Sequence, residues 1–425
     1  MKKEDYCNSN SNIINFFSKK LTLINEELKE YLLSQNFAFE KNDKLFLYNS
    51  PAAYSACLNE NNFLEKLLIK DIVFDSFTDS KYIQRLDNTF ELLNEKTLNN
   101  LYLEFSKITY KGLINTQSID IALNVKAYKS EIDRLTNYFH ELPKWDGKER
   151  IKTFFTEYVK TKHSTEYCEK IAYYLFDSIL KRAFALKSKE KEAKNDTCLV
   201  FLGKKGLGKS SLIRYLATQK EWFTEISFTK MDEAKRLMIG KMVCEIPELK
   251  GYDTAAIEDI KAFLTATTDN WKINHKEETK ANTRRCIFIM TTNNLNFLRE
   301  SQDRRFAPIE IEQISFEKIK EDLEQIYAEA FYFFSNNIKN YEYTHEIEPM
   351  LLKIQENYLE SDPWDEIVLK LLSEKNEIQS IDVLLKLNIP KEKQKRSDIM
   401  RVNKIFQRLG LKRKIKNGYN FYSSS

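Results

Sequence analysis

The sequence predicts an α/β fold in which a central parallel sheet is flanked by helices. A helical N-terminal region precedes it, and a small domain of three helices and a hairpin follows. Three observations carry this. Apolar runs alternate with helical patterns from Cys198 to about Ile311. The stretch "LVFLGKKGLGKSSLIRYLA" (199–217) passes from a strand-like run through a glycine-rich turn into helical spacing. The basic C-terminal end shows three amphipathic helical patterns and then a hairpin signal.

A chain of 425 residues is long enough for two or three domains. Its 67 Lys and Arg nearly balance its 63 Asp and Glu, but the distribution is uneven. Residues 381–425 hold 12 basic and 3 acidic side chains, a net of +9, which leaves the rest slightly acidic. Such asymmetry fits an anionic polymer docking at the basic end; a solvated tail is the alternative, against which its apolar periodicity argues. The six cysteines contain no C-x-x-C pair, and Cys198, Cys244 and Cys286 sit in or beside apolar runs, as buried free thiols of a reducing compartment would. The four histidines cluster neither with each other nor with cysteines, so no zinc site is visible. No window approaches the ~18 apolar residues of a membrane span, and the N-terminus lacks the apolar core of a signal peptide. The expectation is a cytoplasmic protein, in a bacterial or phage-infected cell, with no membrane contact.

Residues 1–130 read as a mainly helical accessory region, with patterns such as "LTLINEELKEYLLSQ" and "TLNNLYLEFSKITYKGL" and no recognisable chemistry. Residues 131–196 form a helical lead-in, broken at "ELPKWDGKERI", where Pro143 and Gly147 force a turn, and ending in a charge run. Residues 197–313 are the layered core, 314–362 a helical extension, and 363–425 the basic unit.

The segment "GKKGLGKS" (203–210) fits G-x-x-x-x-G-K-[ST], with a strand before it and a helix after it. It holds three of the nine glycines of the whole chain. Glycines let successive backbone N–H groups converge on phosphate oxygens, and a helix N-terminus adds a favourable field. The candidate nucleotide-binding segment is therefore Gly203, Lys204, Lys205, Gly206, Leu207, Gly208, Lys209, Ser210 and Ser211. Lys209 supplies charge to the β- and γ-phosphates and Ser210 a ligand for Mg²⁺, while Lys204, Lys205 and Ser211 are neighbours. A chance glycine-lysine turn is disfavoured by the strand–loop–helix context. "GKMVCEIPEL" then places Glu245 and Glu248 at a strand end, where an NTPase holds its metal and orients water. An exposed acidic turn is the alternative, and spacing alone does not decide. "RRCIFIMTTNN" is a buried strand that ends in Thr292, Asn293 and Asn294, where a polar group either holds the attacking water or caps the strand. "ESQDRRFAPIEI" sets Arg304 and Arg305 before another strand, to reach a neighbouring subunit's phosphate or to pair with surface carboxylates.

In this order the pieces resemble the virulence-associated protein E (VapE/VirE) family of superfamily 3 helicase-like AAA+ P-loop ATPases. The resemblance extends over residues 131 to about 370, including "LTNYFHELPKWDGKERI", the run from Glu245 through the Thr-Thr-Asn and Arg-Arg-Phe, and "ESDPWDEI". It implies Lys209 and Ser210 as the Walker A pair, Glu245 and Glu248 as Walker B acids, and Asn293 as sensor 1. Arg304 or Arg305 is then the finger acting across subunits, with ATP as cofactor and Mg²⁺ on Ser210 and Glu245. Many superfamily 3 helicases carry adjacent Walker B acids, whereas Ile246 and Pro247 separate them here, so which glutamate is ligand and which is base stays open. The family lies near replicative proteins of phages and integrated mobile elements, often with a primase module. No zinc pattern or acidic polymerase triad is present here, so no primase activity is expected. Between acids and sensor lies "NWKINHKEETKANTRR". The resemblance implies a hairpin there that points into a hexamer channel and grips single-stranded DNA through Lys276 and Lys280. Without it, these are ordinary solubilising lysines.

The C-terminal unit needs no family. "PWDEIVLKLLSE" is one helix, a second starts at Ser380, and "SDIMRVNKIFQRLG" is a third, capped by Ser397 and stopped at Gly410. Ile399, Val402, Ile405, Phe406 and Leu409 form the apolar face of the third helix, and Arg401, Lys404 and Arg408 lie on another. "LKRKIKNGYNFY" reads as a hairpin turned at Asn417-Gly418, carrying Lys412, Arg413, Lys414 and Lys416. The arrangement is that of a winged helix-turn-helix, with its third helix suited to the major groove of duplex DNA. Such units also dock proteins. The expected function is an ATP-dependent DNA helicase or replication initiator of a phage or mobile element, assembled as a ring-shaped homo-oligomer, a hexamer. The rival is a non-helicase ATPase switch, a loader or a DNA-binding regulator.

Overall fold

The computed structural model describes residues 24–186, 195–227, 231–247, 254–272, 279–298, 303–359, 362–416 and 419–423. The chain divides into two compact units, Met1–His140 and Glu141–Ser425.

In the first unit β1 (Ala38–Lys41) and β2 (Lys44–Leu47) form a hairpin. Its turn residues Asn42 and Asp43 sit at φ 53° and 61°, a conformation that their short polar side chains tolerate. A second sheet runs in the order β5 (Phe90–Leu92), β4 (Ser80–Arg85), β3 (Ile69–Asp75), β6 (Glu131–Ile132). Helices Pro51–Leu58 and Thr116–Lys129 supply much of its core, including Tyr54, Cys57, Ile119 and Leu123. Helices Glu26–Ser34 and Glu95–Ser106 correspond to the two quoted helical patterns. Each is capped by an asparagine, Asn25 or Asn94, whose side-chain oxygen accepts the N–H of Leu28 or Thr97. Periodicity predicts helices alone here; the six strands are short, and their turns depend on Asn and Asp rather than on glycine.

The second unit is built on a six-stranded sheet. Its strands are β7 (Val159–Thr161), β8 (Cys198–Leu202), β9 (Phe223–Glu225), β10 (Val243–Pro247), β13 (Ile287–Thr292) and β14 (Phe306–Ile314). Between β10 and β13 a separate antiparallel pair, β11 (Thr268–Lys272) and β12 (Thr279–Thr283), forms the expected hairpin. The sheet order is β7-β14-β8-β13-β10-β9, all neighbours being parallel except β14 and β7. Every residue of β8 and β13 is buried, as strands between two helical layers require. Val200, Leu202, Cys244, Ile246, Phe288 and Met290 pack on one face with Ile260 and Phe263 of helix Thr254–Thr265. On the other face Phe201 meets Phe155 with ring centroids 6.3 Å apart. Helices Thr165–Ala183 and Phe316–Ser335 touch through Phe176 and Tyr327, 5.6 Å between centroids.

The topology selects one edge of this sheet. After β8 the chain travels out to β9, returns through β10 and β13 to stand beside β8, then crosses to its other side as β14. Beyond the C-terminal end of β8 the connections diverge, and in open α/β sheets such a switch point is the crevice that receives a ligand.

The C-terminal part holds helices Asp365–Glu374, Ser380–Lys386 and Arg396–Arg408, followed by the antiparallel pair β15 (Lys412–Lys416) and β16 (Tyr419–Ser423). Val402, Ile405 and Phe406 of the third helix are buried with Val368, Leu384 and Tyr422, and Ile399 and Leu409 pack partly against them, so the expected apolar face is real. Ile378 exchanges two backbone hydrogen bonds with Tyr422, of 2.8 and 2.9 Å, adding a third edge to the hairpin. The second helix starts at Ser380 as expected, whereas the third starts at Arg396, so Ser397 lies inside its first turn instead of capping it. Asp398 there accepts the Lys395 N–H at 3.0 Å. Gly410 follows the helix at φ 68°, the left-handed position that ends helices. The turn residues Asn417 and Gly418 lie outside the described residues.

No described helix is long and apolar enough to cross a membrane. Cys57, Cys168, Cys198, Cys244 and Cys286 are buried free thiols, and the described residues hold no cluster of metal-ligating type.

Candidate functional site

The switch point is occupied by the glycine-rich loop. Gly203, Gly206 and Gly208 have φ of 146°, 87° and 88°, so all three glycines adopt backbone that other residues resist. At Gly208, the N-cap of helix Lys209–Leu216, a Cβ would come within 2.7 Å of the Phe316 ring. The loop thus folds by close approach as well as by dihedral. Lys205, Gly206, Gly208, Lys209, Ser210 and Ser211 line a cleft of about 430 Å³ together with Glu225, Glu245, Thr291 and Asn293.

Three strands and the helix after β8 bring five polar groups into that cleft. Lys209, 8% exposed, donates from Nζ to the carbonyls of Gly203 and Lys204 at 2.7 and 3.1 Å and to Asn293 Oδ1 at 2.7 Å. Asn293 follows β13 directly, and β13 lies between β8 and β10. Ser210 Oγ and Thr291 Oγ1 both donate to Glu245 Oε1, each at 2.7 Å. Glu245 stands within β10, 1% exposed, and its Oε2 has no hydrogen-bond partner among the described residues. A fully buried carboxylate oxygen without a donor is costly unless a cation completes it. Lys204 contributes its carbonyl, and Leu207 closes the loop by its N–H to that carbonyl at 3.4 Å.

The structure therefore brings Lys209, Ser210, Glu245 and Asn293 into one cluster. Glu248 lies outside the described residues. Thr291 belongs to the same cluster and is missed by sequence reasoning, which takes it as the last residue of an apolar run. The signal available is the polar doublet Thr291–Thr292 ending a strand beside the loop.

Arg304 and Arg305 are elsewhere. They precede β14, whose first residue pairs with Cys198 at the start of β8, and the Cys198 N–H donates to the Arg305 carbonyl at 2.8 Å. The loop follows the far end of β8, a strand's length or roughly 13 Å away. Arg304, half exposed, lies 3.5 Å from Asp196, and Arg305 pairs with Asp303 at 3.3 Å. A second cavity, of about 470 Å³, opens beside Arg304 and is lined by Tyr173, Tyr174, Asp177, Lys181 and Tyr343 but by no loop residue.

Of the DNA-contact candidates, Lys276 lies outside the described residues, and Lys280 is placed on β12 by its backbone. Arg401 and Arg408 have partners at the start of the C-terminal unit, Asp362 just before it and Asp365 within it. Arg401 makes two 2.8 Å bonds to Asp362 and stacks 3.9 Å above the Trp364 ring, and Arg408 pairs with Asp365. Lys404 is exposed. On the hairpin Lys412, Arg413, Lys414 and Lys416 are all exposed; Lys414 and Lys416 reach Glu377 at 3.4 and 2.6 Å, and Arg413 reaches Asn420 at 2.9 Å.

The virulence-associated protein E-like domain model matches residues 139–360. No curated protein matches the chain. Among solved structures, the apo structure of the NrS-1 C-terminal region (305–718) is similar at 15% identity and a TM-score of 0.45, covering 86% of this chain and 98% of that one. The A form apo structure of the same region gives 16% identity and a TM-score of 0.45, covering 89% and 100%. Since the matched domain takes up more than half of its length, this chain belongs to the virulence-associated protein E-like family.

Proposed function

We propose that the chain is an ATP-dependent DNA motor, the helicase or replication initiator of a phage or integrated mobile element. Its core, residues 197–313, is a P-loop ATPase, and residues 363–425 form a winged helix-turn-helix that meets duplex DNA. The observation that carries this reading is the convergence of three strands on one cleft, with Lys209 held by Asn293 and Ser210 joined to Glu245 through 2.7 Å bonds. The loop's backbone N–H groups and the start of helix Lys209–Leu216 cradle the phosphates. Lys209 leaves its carbonyl partners to balance β- and γ-phosphate charge. Ser210 Oγ and the unpartnered Glu245 Oε2 suit a hard, oxygen-seeking Mg²⁺, which when bound neutralises charge on the transferred phosphoryl group. Thr291 orients Glu245, and Asn293 holds water against the γ-phosphate. Arg304 or Arg305, a strand's length from its own loop, completes the site of a neighbouring subunit in a ring. Lys276 and Lys280 on the β11–β12 hairpin contact a single strand in the channel.

A second reading, an ATPase switch without strand separation, is favoured by the internal ion pairs of Arg401 and Arg408, which leave fewer cations for duplex. Two measurements test the proposal. Lys209→Ala should abolish ATP hydrolysis while the chain still folds, at a modest cost in melting temperature because it releases three hydrogen bonds of a buried side chain; wild-type turnover by a folded mutant sinks the site. Strand displacement with ATP and not with ATPγS separates motor from switch.

A further inference from the structure

The turn at residues 303–305 is held more firmly than a strand end requires. Thr197 Oγ1 and the Tyr343 hydroxyl both donate to the Arg304 carbonyl, at 2.9 and 3.0 Å. Gln355, fully buried, donates Nε2 to the carbonyls of Asp303 and Phe306 at 2.6 and 2.7 Å. The Asp303 carboxylate accepts the Arg305 N–H at 3.0 Å, and its second oxygen meets Lys261 Nζ at 2.9 Å. The Lys261 and Asp303 side chains are only 11% and 10% exposed. A buried ion pair adds little stability over well-packed apolar groups of the same volume, so stability alone does not account for this one.

Lys261 belongs to helix Thr254–Thr265, which leads directly into β11. Two residues further on, Phe263 offers its carbonyl to Arg284, whose guanidinium lies 4.1 Å from the Phe263 ring. Arg284 in turn closes the base of the β11–β12 hairpin through bonds of 2.6 and 2.7 Å to Asp269, the two side chains 1% and 5% exposed. A path therefore runs, inside one subunit, from the hairpin base through Arg284 to Phe263, along the backbone of helix Thr254–Thr265 to Lys261, and across the ion pair to Asp303.

Resting on the reading that Arg304 or Arg305 completes a neighbouring subunit's nucleotide site, we propose that Lys261 is a positioning residue. Through Asp303 it ties the arginine turn to the hairpin, so that single-stranded DNA on the hairpin of one subunit sets the rate of ATP hydrolysis in the next. Rigid, desolvated contacts of this kind have discrete arrangements and can carry coupling between sites, and double-mutant cycles are the means of demonstrating it.

The whole 425-residue chain is the test material. Lys261→Met keeps the length of the side chain and removes its charge. ATP affinity and single-strand affinity should stay at wild-type values, while stimulation of ATPase by single-stranded DNA falls roughly fivefold or more, within the usual range of coupling between sites. Lys261→Arg should keep most of the stimulation. The Lys261→Met/Asp303→Asn double mutant should be no worse than Asp303→Asn alone, because that substitution already removes the contact Lys261 makes. If Lys261→Met does not fold, Lys261→Gln is read in its place. Wild-type stimulation in the charge-removing variant overturns the proposal, and so does a wild-type enzyme that DNA does not stimulate. Full activity of Arg304→Ala/Arg305→Ala removes the finger reading and the proposal with it. An inactive arginine mutant beside a fully stimulated Lys261→Met removes the proposal alone.

Discussion

Glu329 shows how one buried carboxyl records its surroundings. It is fully buried on helix Phe316–Ser335, where Oε2 accepts the N–H groups of Arg150 and Ile151 at 2.7 and 3.1 Å. Burial pushes its pKa up from 4.5 to about 7; the two N–H bonds oppose the shift and Glu149 adds to it. The folded protein therefore binds this proton more tightly than the unfolded chain does. The associated stability is complete below about pH 4.5 and is lost as pH rises through about 7. Urea unfolding at pH 5 and pH 8 should show this loss, and Glu329→Gln should shrink the difference by something on the order of 1–3 kcal/mol. An unchanged pH difference in the mutant refutes the assignment. At the same scale the clustering of the glycine-rich loop with Glu245 and Asn293 was legible in sequence because glycine, lysine and serine at fixed spacing have few other uses. Thr291 and Lys261 were not, since a threonine in an apolar strand and a lysine on a helix look ordinary until their partners are placed.

Elements were legible where their burial is uniform and illegible where it is not. β8 and β13 are buried throughout and read directly as apolar runs. β7, three residues long, pairs antiparallel with β14 across more than a hundred residues of chain, and no local pattern announces that. The third C-terminal helix combines both situations. Its apolar face was read correctly, while its basic face turned out to be partly engaged with Asp362 and Asp365. That engagement divides the cations by task. Arg401→Ala, which loses a two-point ion pair and the stack on Trp364, should destabilise the C-terminal unit by about 1 kcal/mol in thermal or urea unfolding. Lys404→Ala should leave stability within about 0.5 kcal/mol. It should weaken duplex binding and flatten the dependence of log K on log salt by roughly one unit. Identical anisotropy curves for Lys404→Ala and wild type at every salt concentration mark the unit as a protein-docking module.

For the whole molecule, the separation of loop and arginines along β8 is the decisive geometry. On the proposed function, a subunit whose own arginines lie at the opposite end of the sheet needs a neighbour to finish its site. Lys209→Ala and Arg304→Ala/Arg305→Ala proteins should each be inactive alone. Mixed, they should regain part of the ATPase rate, because one class of hybrid interface carries an intact loop and an intact arginine pair. No recovery at any mixing ratio, with both proteins folded, argues for arginines that serve only their own subunit. The sheet itself constrains how neighbours can meet. Its outermost strands, β7 and β9, are three residues each, and β7 runs against the direction of its partner. Such short borders are poor templates for another chain's backbone. Copies of this protein are therefore steered away from fusing their sheets into one continuous ribbon, the route towards fibres. Contact between copies is left to side chains, which on the proposed function can be made and broken with each turnover.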